Sequence, residues 1–157
     1  MRIPCDTSLC YVDECGVDPN IARLVGRAPR GERVVAERPG HREKRLNVLA
    51  GLVGTEVIAP FYLKETTNGS RFEAWFNWYL CPALPPRSVI IMDNARFHRK
   101  TEVRRIAKQF GHSVIFLPKY SPDKNPIEHT WANLKNWLRI HAHQYPGVQD
   151  AIIDYFR

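Results

Sequence analysis

Hydrophobic positions along the chain change their period from segment to segment, and each change marks an element. Around Thr7 to Val12 the residues alternate, with Leu9 and Tyr11 on one side, which predicts a short strand ending at Asp13. Asp18-Pro19-Asn20 then breaks the chain. Arg45 to Val53 and Thr55 to Leu63 are β-rich runs meeting at Gly54, the pattern of a hairpin. From Asn68 the period lengthens. Phe72, Trp75, Phe76, Tyr79 and Leu80 recur at helical spacing and predict one broad apolar face, read as core rather than as a platform for stacking bases. Cys81-Pro82-Ala83-Leu84-Pro85-Pro86 closes that helix.

Val89 to Met92 is an unbroken apolar run, the signature of a strand covered on both faces in a parallel sheet, and it stops at Asp93. Val103, Ile106, Ala107 and Phe110 predict the next helix, with Gly111 placed to cap it. Val114 to Leu117 reads as a second short buried strand. Ile127, Trp131, Leu134 and Leu138 mark a long helix with Pro126 in its first turn, and a weaker helix follows over Val148 to Phe156. Antiparallel strands followed by a βαβα order describe an α/β fold, a mixed sheet with helices on its faces.

Composition narrows the class. The 157 residues suit one domain, and 44% hydrophobic with 25% charged residues is globular. Lys and Arg outnumber the acids 23 to 16, for a net +7 that suits a polyanionic partner. Residues 23–45 hold eight basic residues (Arg23, Arg27, Arg30, Arg33, Arg38, Arg42, Lys44 and Arg45) against three acids, so +5 of that charge lies in one Gly- and Pro-punctuated segment. It reads as loop with a short strand over 33–37. No apolar run approaches the roughly 20 residues of a membrane span, and residues 1–12 lack the apolar core of a secretion signal. Cys5, Cys10, Cys15 and Cys81 show neither a C-x-x-C pair nor zinc spacing, which favours reduced thiols in a cytoplasm.

Three acids stand out by position. Asp13 closes the first strand, Asp93 closes the buried strand, and Glu128 opens the long helix. At the edge of an α/β sheet, strand ends and helix starts come together. Carboxylates meeting there offer hard oxygen ligands for Mg²⁺ or Mn²⁺, and two such ions can drive phosphodiester chemistry. Each acid also has a plainer reading. Asn125 to Glu128 scans as a helix capping box, Asp93-Asn94-Ala95 as a turn, and Asp13-Glu14 as solvated loop acids. Glu14 is the weaker neighbour, since adjacent strand residues face opposite ways. Motifs for a zinc hydrolase, a serine hydrolase and a phosphate-binding loop are not formed: position 125 is Asn where H-x-x-E-H needs His, and Gly69-Ser70-Arg71 lacks the G-x-S-x-G flanks.

The segments Tyr11-Val12-Asp13-Glu14, Ile91 to His98 and Leu117 to Trp131, which contains YSPDKNPIE, resemble the catalytic domain of DDE transposases. The similarity is to the Tc–mariner superfamily, and within it to the bacterial insertion-sequence-630 branch, which also places 34 residues between its second and third acids, as between Asp93 and Glu128 here. It covers roughly Ser8 to Leu138. The resemblance implies a ribonuclease-H-like fold, two divalent ions (Mg²⁺ or Mn²⁺), and Asp13, Asp93 and Glu128 as catalytic metal ligands. It implies hydrolysis of double-stranded DNA at element ends, then joining of the freed 3′ hydroxyl to target DNA, commonly at a TA step, by a homodimer.

Asn94, His98, Lys119 and Asn125 are candidates for supporting roles, with a surface position the plainer reading of His98. The arginines and lysines of 23–45, with Lys124 and Lys135, are candidates for DNA contact. Transposases of this kind carry an N-terminal helix-turn-helix region. The chain begins about a dozen residues before Asp13, so it is expected to be a single catalytic domain over 1–157 without that region: the catalytic half of a protein whose two reading frames are joined by frameshifting, a remnant of a decayed element, or a cloned fragment. Its setting would be the bacterial cytoplasm, at the nucleoid. The competing readings are a non-catalytic protein that binds DNA or pairs with transposase subunits to inhibit them, and another ribonuclease-H-like nuclease such as a resolvase.

Overall fold

A computed structural model describes residues 7–21, 29–31, 44–118 and 125–157. Five strands form one mixed sheet: β1 (Leu9–Val17), β2 (Leu46–Val53), β3 (Glu56–Leu63), β4 (Val89–Met92) and β5 (Ser113–Phe116). Their order is β3-β2-β1-β4-β5, antiparallel from β3 to β1 and parallel from β1 to β5. The helices are α1 (Gly69–Trp75), α2 (Cys81–Ala83), α3 (Lys100–Gln109), α4 (Ile127–His141) and α5 (Val148–Tyr155). The expected hairpin is present, turning at Gly54 with φ +59°, a conformation that glycine adopts without strain.

Two apolar layers sandwich the sheet. Cys10, Val12 and Leu49 pack against Phe72, Trp75, Phe76 and Leu80 and against Val103, Ile106 and Ala107 of α3. On the other face Cys15, Val17, Val48 and Ala50 meet Ile127, Trp131, Leu134 and Leu138 of α4 and Val148, Ala151 and Ile152 of α5. Each Val, Leu, Ile or Phe among them that is fully removed from water contributes roughly 1.5–3 kcal/mol. Cys10, Cys15 and Cys81 are buried free thiols. Among the described residues no helix is long and apolar enough to cross a membrane.

The structure departs from the periodicity at four places. β1 runs on to Val17, so Asp13 lies within the strand rather than at its end. The cause is β2, whose antiparallel pairing carries β1 through Val17↔Leu46, whereas the parallel pairing with β4 stops at Val12↔Met92. β5 is half exposed instead of buried, because it is the last strand of the sheet. A π-helical turn over Phe76–Leu80 joins α1 to α2. This wider turn rotates Tyr79 off the buried face, leaving it 53% exposed beside Trp78 at 73%. Finally, β3 carries a bulge around Ala59 and Pro60, where the partners slip between Leu49 and Gly51. Proline cannot donate to the ladder and is accommodated there. The expected strand over 33–37 lies outside the described residues.

Candidate metal-dependent nuclease site

Asp13 and Asp93 are brought together by register. Val12 pairs with Met92 in the parallel ladder, so the next residue of each strand stands at the same level of the sheet. Both residues line one small cleft with Val12, Glu14, Phe72, Ala95, Phe97 and His98. Glu14, exposed, alternates with Asp13 along β1 and so stands on the opposite face of the strand, the face of Val12, while also bordering this cleft.

Glu128 comes to the same region on α4, which packs across β1. The capping-box reading of this residue is not realised. The residue before the helix is Pro126, the Asn125 side chain caps nothing, and the contact present is the backbone N–H of Glu128 donating to the Asn125 carbonyl at 3.2 Å. Asn125 is buried, and its Oδ1 has no hydrogen-bond partner among the described residues. Glu128 borders an open groove with Trp131, Ala132, Lys135, Asn136 and Arg139. Trp131 links this groove to the cleft, its indole N–H donating to Asp13 Oδ2 at 3.0 Å.

Electrostatics tie the three acids together. Burial pushes the Asp13 carboxyl up to about 7, the Glu128 and Asp93 carboxylates add to the rise, and the Glu14 backbone N–H and the Trp131 indole oppose it. Asp93 moves the other way. The His98 hydrogen bond, assisted by the Ala95 N–H, holds it below its ordinary value against the effect of burial. An ionised carboxylate only accepts, so His98 Nε2 carries the proton it donates to Asp93 Oδ1 at 3.1 Å. The His98 side chain is not at the surface: it is 5% exposed, and its Nδ1 is buried with no hydrogen-bond partner among the described residues.

The loop that carries these groups is fastened to α1. Arg99 makes a bidentate ion pair with Glu73, a buried acid, with Nε 2.8 Å from Oε1. Gly69 lies so close that a Cβ there would sit 2.8 Å from the Phe97 carbonyl oxygen. Sequence reasoning singled out neither Glu73, Arg99 nor Trp131 as part of the site. Helical spacing marked Trp131 as core, which it also is, and nothing local distinguishes Glu73 from a solvated helix acid.

The other candidates divide. Asn94 follows Asp93, half-buried. Lys135 lines the same groove as Glu128 and is close enough to Cys15 to oppose the upward push of burial on that thiol. Arg30 and Lys44 are exposed. Arg45 donates to the Gly16 carbonyl at 3.1 Å, lying across β1. Arg23, Arg27, Arg33, Arg38, Arg42, Lys119 and Lys124 lie outside the described residues.

Carboxylate oxygens suit hard divalent ions such as Mg²⁺ or Mn²⁺, and the mutual repulsion felt at Asp13 is what a cation would relieve, so these residues fit such a metal. They stand as neighbours and not as a finished cage: among the described residues no three His, Cys, Asp or Glu side chains already form a metal-binding group.

Residues 8–149 match a family model described as DDE superfamily endonuclease. Among solved structures, the Mos1 transposase paired-end complex with left transposon end is similar at TM-score 0.66 and 24% identity, over 83% of this chain and 41% of that one. The Mos1 strand transfer complex gives 0.64 and 25%, over 82% and 40%. The Mos1 mariner paired-end complex with Mn gives 0.62 and 25%, over 80% and 40%. The chain thus spans about two-fifths of the length of these transposase chains. No curated protein matches it.

Proposed function

The chain belongs to the DDE superfamily of endonucleases, and from that premise we propose that it is the catalytic domain of a cut-and-paste transposase. Its activity is metal-dependent cleavage of double-stranded DNA at element ends, followed by joining of the 3′ hydroxyl to target DNA. The observation that supports this reading is geometric: Asp13 and Asp93 follow directly on the paired residues Val12 and Met92 of neighbouring strands, and Trp131, three residues after Glu128 on α4, donates its indole N–H to Asp13. The Mos1 complexes with a transposon end and after strand transfer support the choice of DNA as partner.

In this reading Asp13, Asp93 and Glu128 are the metal ligands, and the ions are two, Mg²⁺ or Mn²⁺. When bound, such ions would supply Lewis-acid activation of an attacking oxygen and stabilisation of the leaving 3′ oxygen. The chain does the rest. His98 keeps Asp93 ionised and fixed in direction. Asn94 and Asn125 flank the acids, and Lys135, in the groove beside Glu128, holds a backbone phosphate as DNA enters. Lys119, Lys124 and the basic residues of 23–45 extend the phosphate contacts. The finer assignment is to the bacterial insertion-sequence-630 branch, acting at the nucleoid as a homodimer.

The test is incubation of the purified chain with labelled duplex DNA in Mn²⁺ or Mg²⁺, scoring nicks and joined products separately. Nicking plus joining that disappears in Asp93→Ala and Glu128→Ala, with DNA binding retained, is the expected result. Nicks without joined products would move the chain to another class of ribonuclease-H-like nuclease. A folded chain inert in Mn²⁺ would leave only a DNA-binding or subunit-pairing inhibitor.

A further inference from the structure

A carboxylate that must present itself to a cation works best when a neighbour fixes its orientation, and partners of that kind are worth about 10–100-fold in metal affinity or activity. The one side chain hydrogen-bonded to Asp13 among the described residues is Trp131, whose indole N–H reaches Oδ2 at 3.0 Å across 118 positions of sequence. Trp131 is 2% exposed and belongs to the apolar layer between α4 and the sheet, in the cluster with Ile127 and Leu134. A buried indole needs a partner for its N–H. Packing alone would be served by a phenylalanine, and here the N–H is spent on one of the three acids. Trp131 also lies three residues after Glu128, on the same side of α4. One rigid ring therefore touches Asp13 directly and shares a helix turn with Glu128.

We propose that Trp131 is a positioning residue of the metal site: its indole N–H fixes the carboxylate of Asp13 and sets the spacing between Asp13 on β1 and Glu128 on α4. This rests on the reading of Asp13 and Glu128 as metal ligands. The ring's bulk belongs to the core, and the N–H belongs to the site.

Trp131→Phe keeps an aromatic ring in the core and removes the N–H. Mn²⁺ binding to the DNA-free protein, followed by calorimetry, should weaken about 10-fold. The Mn²⁺ concentration for half-maximal nicking should rise to match, with the KM for DNA unchanged. Trp137→Phe is the control, since its ring packs against His141, Tyr145 and Tyr155 away from Asp13; it should bind Mn²⁺ like the parent. Wild-type Mn²⁺ affinity in a folded Trp131→Phe protein overturns the proposal. Should that variant fail to fold, benzothienylalanine at position 131 keeps the bicyclic shape with sulfur in place of the N–H, and the same weakening or its absence decides. Asp13→Asn separates the two levels. If it still binds Mn²⁺ and nicks DNA, the ligand assignment itself falls. If it is inert while Trp131→Phe matches wild type, only the role of Trp131 falls.

Discussion

His98 is held against Asp93, with Nε2 3.1 Å from Oδ1 and its ring in the corner formed by Phe72 and Phe97, at centroid distances of 4.3 and 4.2 Å. The aromatic walls fix the plane of the imidazole, and the short loop closes through the His98 N–H to the Ala95 carbonyl at 3.2 Å. The result is a directed donor that keeps one acid charged. Replacing His98 by Ala should lower Mn²⁺-supported nicking about 10–100-fold while the protein stays folded. A His98→Ala rate within twofold of wild type, measured on the same labelled duplex, would remove the residue from the site.

Asp13 makes stability depend on pH. Its carboxyl has an ordinary value of 3.8 and is pushed up to about 7 in the fold. Between these values the folded chain holds a proton that the unfolded chain has released, so the native state loses stability as pH rises through that window, by up to about 4 kcal/mol. Asp93, held low, acts oppositely: its contribution is present at neutral pH and lost as pH falls below the ordinary carboxylate range. The metal-free protein should therefore melt at a lower temperature at pH 8 than at pH 5. Asp13→Asn should flatten that decline, and millimolar Mn²⁺ at pH 8 should reverse it by binding only the folded state. Thermal melts across pH, with and without Mn²⁺, are the measurement.

The Glu73–Arg99 pair predicts an asymmetry. Glu73 is buried on α1, whereas the Arg99 side chain is 63% exposed. Arg99→Ala strands a buried carboxylate, while Arg99→Ala combined with Glu73→Gln removes the stranded charge. The single variant should melt several degrees below wild type, and the double variant should recover part of the loss. Nicking should fall in both, because the loop carrying Asp93 and His98 loses its fastening to α1. Equal melting of the two variants would mean that the pair carries no such load.

DNA binding should weaken steeply with salt, since phosphate contacts release counterions. Lys135→Ala should lower the slope of log affinity against log salt by about one, with no change in the preference among duplex sequences. Titrations of one duplex over a range of salt concentrations, on wild type and variant, give the two slopes directly. Identical slopes would place Lys135 away from the phosphates.

Much of this molecule was legible before any coordinates. The apolar run of Val89 to Met92 specified a central strand because only burial on both faces favours four such residues in a row. The stripe Ile127, Trp131, Leu134 and Leu138 specified the face of α4, and all four are buried. Asp93 and Glu128 were picked out by where those elements begin and end. What the linear pattern left open depends on contacts between residues far apart. The length of β1 was decided by its pairing with β2, the exposure of β5 by its place at the sheet edge, and the turn of Tyr79 into solvent by a π-helical register that strict periodicity does not contain. The burial of His98, the partner of Glu73 and the use of the Trp131 N–H likewise follow from which surfaces meet. Local sequence fixes hydrophobic period and backbone preference, which act over a few residues. Desolvation, charge coupling and hydrogen-bond pairing among the acids arise only once the tertiary fold has brought β1, β4 and α4 together.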